Sequence, residues 1–108
     1  MKVVIFKDKI GKEPFSEWVN SLSKSLKYRI YQRFSRIEEN NFGDHRSLRS
    51  KLYELRFHFD SGLRVYYTKT NDKIVILLNG GNKKSQKKDI NKAREYLKEF
   101  TEEKNNEL

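Results

Sequence analysis

Two alternating segments, Tyr53–His58 and Leu63–Tyr67, flank Asp60-Ser61-Gly62. This pairing constrains the fold more than any other feature of the chain. Tyr53, Leu55, Phe57 and Phe59 share one parity, and Leu63, Val65 and Tyr67 share one parity of the return segment. Alternation at period two around a glycine-containing turn is the pattern of a β-hairpin with one face in a core. The other face then carries Glu54, Arg56 and His58, and Arg64 and Tyr66 on the return strand. Pairing symmetric about Ser61 sets Arg56 opposite Tyr66 and His58 opposite Arg64, near enough to share one phosphate group.

The flanking sequence supplies the layers such a sheet needs. Val3–Phe6 reads as a strand, broken by Gly11, and Pro14 suits the first turn of a helix that has no use for its N–H. Phe15, Trp18, Val19 and Leu22 recur at helical spacing, and Leu26, Ile30, Phe34 and Ile37 do so again between about Ser25 and Asn40. Lys27, Arg29, Arg33 and Arg36 form a basic stripe on the outside of this second helix. Ile74–Leu78 is apolar on both parities, as a central strand covered on both faces would be, and it ends at Gly80-Gly81. A last helix from about Gln86 to Thr101 buries Ile90, Ala93, Leu97 and Phe100. The expected fold is α+β: a small, mainly antiparallel sheet of at most five strands, packed by an N-terminal helical hairpin and a C-terminal helix. Trp18, Leu26, Ile30, Leu55, Val65 and Ile76 are expected in the core. Residues 1–101 form one domain, and 102–108 a polar, frayed tail.

The chain carries 24 Lys and Arg against 15 Asp and Glu, a net charge of +9 over 108 residues. That excess favours a polyanionic partner, since each neutralised phosphate releases counterions, and it equally fits a solvated lysine-rich surface. The absence of cysteine excludes disulfides, thiolate metal sites and cysteine nucleophiles. Two histidines are too few for most histidine-based metal sites, so no metal or other cofactor is expected. The apolar run Met1–Phe6 is too short for a signal-peptide core, and no stretch has the roughly 20 apolar residues of a membrane span. A cytoplasmic location is expected, with no membrane partner.

Four stretches taken together, Gly43-Asp-His-Arg-Ser-Leu48, Leu52-Tyr-Glu-Leu-Arg56, Gly62-Leu-Arg-Val-Tyr-Tyr67 and Leu77 to Ile90, resemble the HigB-like addiction-module killer proteins of the RelE/ParE toxin superfamily. The likeness runs from the tryptophan helix to Ala93. It implies a toxin of a type II toxin–antitoxin pair, cleavage of messenger RNA on the ribosome, and silencing by a cognate helix-turn-helix antitoxin. Where RelE-type toxins place lysines on the first hairpin strand, this chain has Glu54 and Arg56, and their C-terminal tyrosine is replaced near Lys88-Asp89-Ile90. A ParE-like gyrase poison on the same fold, or a basic binding module without catalysis, also fits.

Metal-independent RNA cleavage needs a base at the ribose 2′-hydroxyl, cations around the phosphate oxygens and a proton donor at the leaving oxygen. Arg64 suits phosphate stabilisation through its planar fork, and it matches the arginine of the glycine-x-arginine strand in RelE-like toxins. Arg56 adds a second cation. His58 offers a base or an acid, and Tyr66 a hydroxyl, whereas Tyr67 belongs to the core. Each has a structural alternative: Arg56 with Glu54, or Arg64 with Asp60, would make surface ion pairs worth only about 0.2–1 kcal/mol. His45 is a further candidate, since a histidine near that place takes part in some relatives. Lys83, on the loop after Gly80-Gly81, occupies a position where RelE-like toxins keep a basic residue. Lys84, Gln86, Lys87, Lys88, Arg46 and Lys51 are candidate RNA contacts. Asp89 reads as a cap of the last helix, and the proton donor stays unassigned.

Overall fold

The computed structural model describes residues 1–106. In chain order the elements are β1 (Lys2–Ile5), α1 (Pro14–Asn20), α2 (Lys24–Glu38), β2 (His45–Ser47), β3 (Tyr53–Arg56), β4 (Arg64–Thr70), β5 (Ile74–Gly81) and α3 (Gln86–Asn106). The five strands form one sheet in the order β1-β5-β4-β3-β2, antiparallel except where β1 runs parallel to β5. The α+β architecture expected from periodicity is the one observed. The short edge strand β2 was not anticipated, and α3 continues past Thr101 to Asn106. The last two residues of the expected polar tail lie outside the described residues. No helix among the described residues is long and apolar enough to cross a membrane.

Pro14 opens α1, and Ser23 caps α2 by accepting the Leu26 N–H at 3.2 Å. Asn40, at φ 68°, stops α2. These two helices cover one face of the sheet. Phe15, Val19, Ile30, Phe34 and Ile37 meet Leu55, Phe57, Leu63, Val65, Tyr67, Val75 and Leu77, with Trp18 and Leu26 half-buried at the margin. The long helix α3 covers the other face, where Ala93 packs with Phe6, Leu52, Tyr66, Ile76 and Leu78. Apolar burial on both sides explains the unbroken hydrophobic run of β5.

Two local irregularities shape the hairpin end of the sheet. The hairpin is centred on Asp60 rather than Ser61, because the turn closes through Gly62 N–H to Phe59 C=O at 3.2 Å, with Asp60 at φ 55° and Gly62 at φ 72°. Arg56 therefore faces Arg64, and Glu54 faces Tyr66. The slip amounts to two residues on the partner strand, so each side chain keeps its expected face. The second irregularity is a β-bulge: Tyr66 pairs with Asn79, yet Tyr67 pairs with Leu77. The extra residue puts consecutive side chains Leu78 and Asn79 on the α3 side.

Candidate active site

Residues directly opposite one another on adjacent strands share a face. Arg46, Glu54, Tyr66 and Asn79 stand in one row across β2 to β5, and Arg56, Arg64 and Gly81 form the next row toward the hairpin turn. The first turn of α3 lies over the inner row. Gln86 Nε2 donates to Glu54 Oε2 at 2.9 Å, and Asn79 Nδ2 donates to the Asp89 carbonyl at 3.1 Å. Side-chain exposure then climbs outward from Glu54 (0%) to Arg64 (13%), Arg56 (37%) and His58 (77%). The face expected to be open is open only beyond the end of α3.

Glu54 is a fully buried carboxylate with a cation or amide at each oxygen. Arg46 Nε approaches Oε1 at 3.0 Å, and Arg64 Nε lies 3.6 Å from the Oε2 that Gln86 holds. Arg64 Nη1 donates to the Gly62 carbonyl at 2.7 Å. Its guanidinium is thus anchored through Nη1, while the buried Nε faces the Glu54 carboxylate beyond hydrogen-bond distance and the side chain lines the cleft. Asp44, just before β2, anchors Arg56. Its Oδ1 receives Arg56 Nη2 at 2.9 Å and Nε at 3.2 Å, and its Oδ2 is hydrogen-bonded to Nε2 of His58. The bond with His58, and then that with Arg56, keeps the Asp44 carboxyl below the usual carboxylate range.

Between these pairs lies a cleft of about 350 Å³ lined by Arg56, Phe57, His58, Asp60, Gly62, Arg64 and Lys83. Lys83 reaches it from the β5–α3 loop, whose backbone is tied to the hairpin turn by Lys83 N–H to Ser61 C=O at 3.3 Å. Asn82 shapes that loop, its Oδ1 accepting the N–H groups of Lys84 and Ser85 at 2.9 and 3.1 Å. Gly80 and Gly81 serve packing rather than a ligand. A Cβ on Gly80 would lie 2.3 Å from the Trp18 ring, and one on Gly81 would lie 1.8 Å from the Asp89 carboxylate on the opposite face.

Four of the five expected catalytic residues, Arg64, Arg56, His58 and Lys83, therefore converge. Tyr66 does not. It is fully buried beneath α3, its hydroxyl has no hydrogen-bond partner among the described residues, and burial, aided by Glu54 and Asp89, pushes its pKa well up. His58 lies beyond the strand and faces Asp44 rather than Arg64. The surface pairs that stood as structural alternatives, Arg56 with Glu54 and Arg64 with Asp60, are not the ones formed: Arg56 pairs with Asp44 and Arg64 lies against Glu54. Tyr67 is core, as expected. His45 stands opposite Leu55 and beside Phe42, on the far face from the cleft.

Of the expected RNA contacts, Lys84, Lys87 and Lys88 line one exposed groove on α3 together with Lys92. Gln86 and Arg46 instead turn to Glu54, although Arg46 stays half exposed. Lys51 sits in a left-handed turn at φ 67° and lines a separate groove with Tyr53 and the far end of α3. Asp89 is inside the first turn of α3, where it accepts the Ser85 hydroxyl at 2.5 Å, and so is not the cap. The roles of Asp44 and Arg33 were missed. Arg33, read as part of the basic stripe, turns inward and donates to the carbonyls of Phe42, Asp44 and Arg56 at 2.7–3.0 Å. The available signal was Gly43: at φ 66°, its missing Cβ would lie 2.8 Å from Arg33 Nε.

The family model described as Phage derived protein Gp49-like (DUF891) matches residues 17–98, a span from α1 through most of α3. An uncharacterised protein of Haemophilus influenzae is 38% identical over 87 residues, which cover 80% of this chain and 88% of that protein. Both matches include the hairpin, the cleft and the Asn82 loop.

Proposed function

This chain belongs to the Gp49-like family of phage-derived proteins, and we propose that it is the toxin of a toxin–antitoxin pair, an endoribonuclease that cuts messenger RNA on the ribosome. The observation that carries this reading is the convergence of Arg56, His58, Arg64 and Lys83 on one cleft from two separate loops and strands. Three cations around a space of that size suit a phosphodiester whose negative charge grows as the 2′-oxygen attacks.

The roles follow from how each group is held. Arg64, fixed by Glu54 and the Gly62 carbonyl, stabilises the non-bridging oxygens, and Arg56 assists from the facing strand. His58 has Nε2 engaged with Asp44, which orients the ring and leaves Nδ1 to take the 2′-hydroxyl proton. The 2′-oxygen then bonds to phosphorus as the bond to the 5′-oxygen breaks. The Lys83 ammonium supplies a donor for that oxygen from the α3 side, leaving a 2′,3′-cyclic phosphate. Lys84, Lys87, Lys88 and Lys92 form a separate cationic groove suited to ribosomal RNA. The antitoxin contributes an acidic segment that neutralises this charge, and the complex should weaken with salt.

Induction in cells followed by mapping of transcript ends tests the reading. Cuts confined to translated frames, absent with Arg64→Ala, support it. DNA breaks with intact messages would point instead to gyrase poisoning.

A further inference from the structure

A second groove, of about 270 Å³, adjoins the cleft at the buried Phe57, which lines both. It is shared with Phe59 and with Arg29, Gln32, Arg33 and Arg36 of α2, and in it Arg33 lies over Phe57. Gln32 and Arg36 are shared in turn with a third groove, about 450 Å³, completed by Tyr28, Tyr31 and Ser35 on the outer surface of α2. The three grooves form one track from the hairpin across the helix.

The chemistry of the track alternates cations with rings. Arg29 lies over Phe59, its guanidinium carbon 3.8 Å from the ring centroid. Arg36 makes no ion pair among the described residues. Tyr28 is 65% exposed, and Tyr31, 41% exposed, is held edge-on by Phe15 and Phe34. Large exposed apolar side chains are few here, and two of the three on the described surface lie on this track. Nothing in α2 needs a tyrosine at position 28 for packing. Ring faces with arginines between them match unpaired bases and their phosphates. A double helix hides its base faces and would gain nothing from the tyrosines.

We propose that this track binds single-stranded RNA flanking the scissile nucleotide, with a base stacked on Tyr28 and a phosphate on Arg36. The proposal rests on the nuclease reading of the cleft. It makes α2 part of the substrate path, and it predicts that the enzyme grips several nucleotides to one side of the cut.

Fluorescence anisotropy with 2′-O-methyl RNAs of about three and about nine nucleotides tests this, because methylation removes the attacking hydroxyl. At about 50 mM salt the longer probe should bind more tightly. Tyr28→Ala should weaken the longer probe roughly tenfold and leave the shorter unchanged, while Tyr28→Phe keeps the ring and the affinity. Arg36→Gln should lower the salt slope for the longer probe by about 0.7. Equal affinity for both lengths, no binding of either probe, or indifference to Tyr28→Ala would overturn the proposal and leave this face to a protein partner. Should cleavage depend on Arg64 while probe length has no effect, the track alone fails. If Arg64→Ala cleaves normally, the cleft reading fails instead.

Discussion

Arg56 and Arg64 stand directly opposite each other on β3 and β4, and each is held by its own carboxylate, Asp44 at 2.9 Å and Glu54 at 3.6 Å. Like charges facing each other across a sheet are ordinarily unfavourable. Here Asp44 flanks Arg56 from the β2 side and Glu54 approaches Arg64 from the inner row beneath α3, so each arginine has an anion of its own. A phosphate would relieve the remaining repulsion, which ties ligand binding to stability.

Arg64→Ala should abolish cleavage while leaving the protein folded. Loss of one preorganised donor to a growing negative charge commonly costs about 10²–10³ in rate. Arg64→Lys keeps the charge but loses the fork, and should remain severely impaired. Single-turnover cleavage on programmed ribosomes, with thermal unfolding as a control, measures both.

Glu54→Gln should lower stability by about 3 kcal/mol, because a buried anion is removed from between Arg46, Arg64 and Gln86. Adding Gln86→Glu returns a carboxylate to the pair and should recover much of the stability seen in denaturant titration. Cleavage should not recover, since the anion no longer sits beside Arg64. In the Arg64→Ala background, Glu54→Gln should cause no further loss of rate. A multiplicative loss would show that Glu54 acts other than through Arg64.

Asp44 gives the acid limb of stability. Its folded pKa is lowered by His58 and Arg56, so its contribution is present above the unfolded value of about 3.9 and is lost as pH falls through the folded value. Asp44→Asn should flatten stability against pH in that acid window. At neutral pH it should also slow cleavage, because His58 loses the partner that orients it. Urea titrations between about pH 2 and pH 6, with cleavage assays at neutral pH, check the two effects separately.

Tyr66 gives the opposite limb. Burial raises its folded pKa, so stability is retained below about pH 10, where the unfolded tyrosine is also neutral, and falls above it as the unfolded chain ionises. Tyr67, raised by the same cause, adds to this limb. Tyr66→Phe deletes an unpartnered hydroxyl, so at neutral pH it should change stability by less than about 1 kcal/mol. It should reduce alkaline unfolding and leave cleavage intact. A large loss of cleavage would restore Tyr66 to the chemistry.

Gly80→Ala and Gly81→Ala should each destabilise by about 1–3 kcal/mol through overpacking, against Trp18 and Asp89 respectively. Thermal unfolding of the two variants checks this. An unchanged midpoint would mean that Trp18 or Asp89 shifts to admit a methyl group on β5.

The layers were readable because they rest on period. Alternation in Tyr53–Tyr67, the doubly apolar Ile74–Leu78 and the helical stripes each specify a face, and each faces where its pattern says. The site was readable in its outer half for the same reason. Its inner half was not, since alternation marks Glu54 and Tyr66 as leaving one core without revealing that α3 builds a second above them. The bulge after Tyr66 lies in a uniformly apolar run and leaves no trace in the pattern. Arg33 and Asp44 work through backbone carbonyls and a loop, where composition carries no directional information.

The place of β5 governs when this molecule can come into being. It is the last strand among the described residues, yet it lies between the first strand and the hairpin, with Lys2 beside Ile74. A nascent chain therefore holds β1 without a neighbour, and the hairpin without its inner partner, until residues 74–81 have been made. Contacts so distant in sequence form slowly. Lys83 and Gln86, which close the cleft and seat Glu54, follow immediately after. A product terminated before Ile74 would carry both arginines but neither β5 nor Lys83, so the cleft is assembled only after β5 and the loop that follows it have been made.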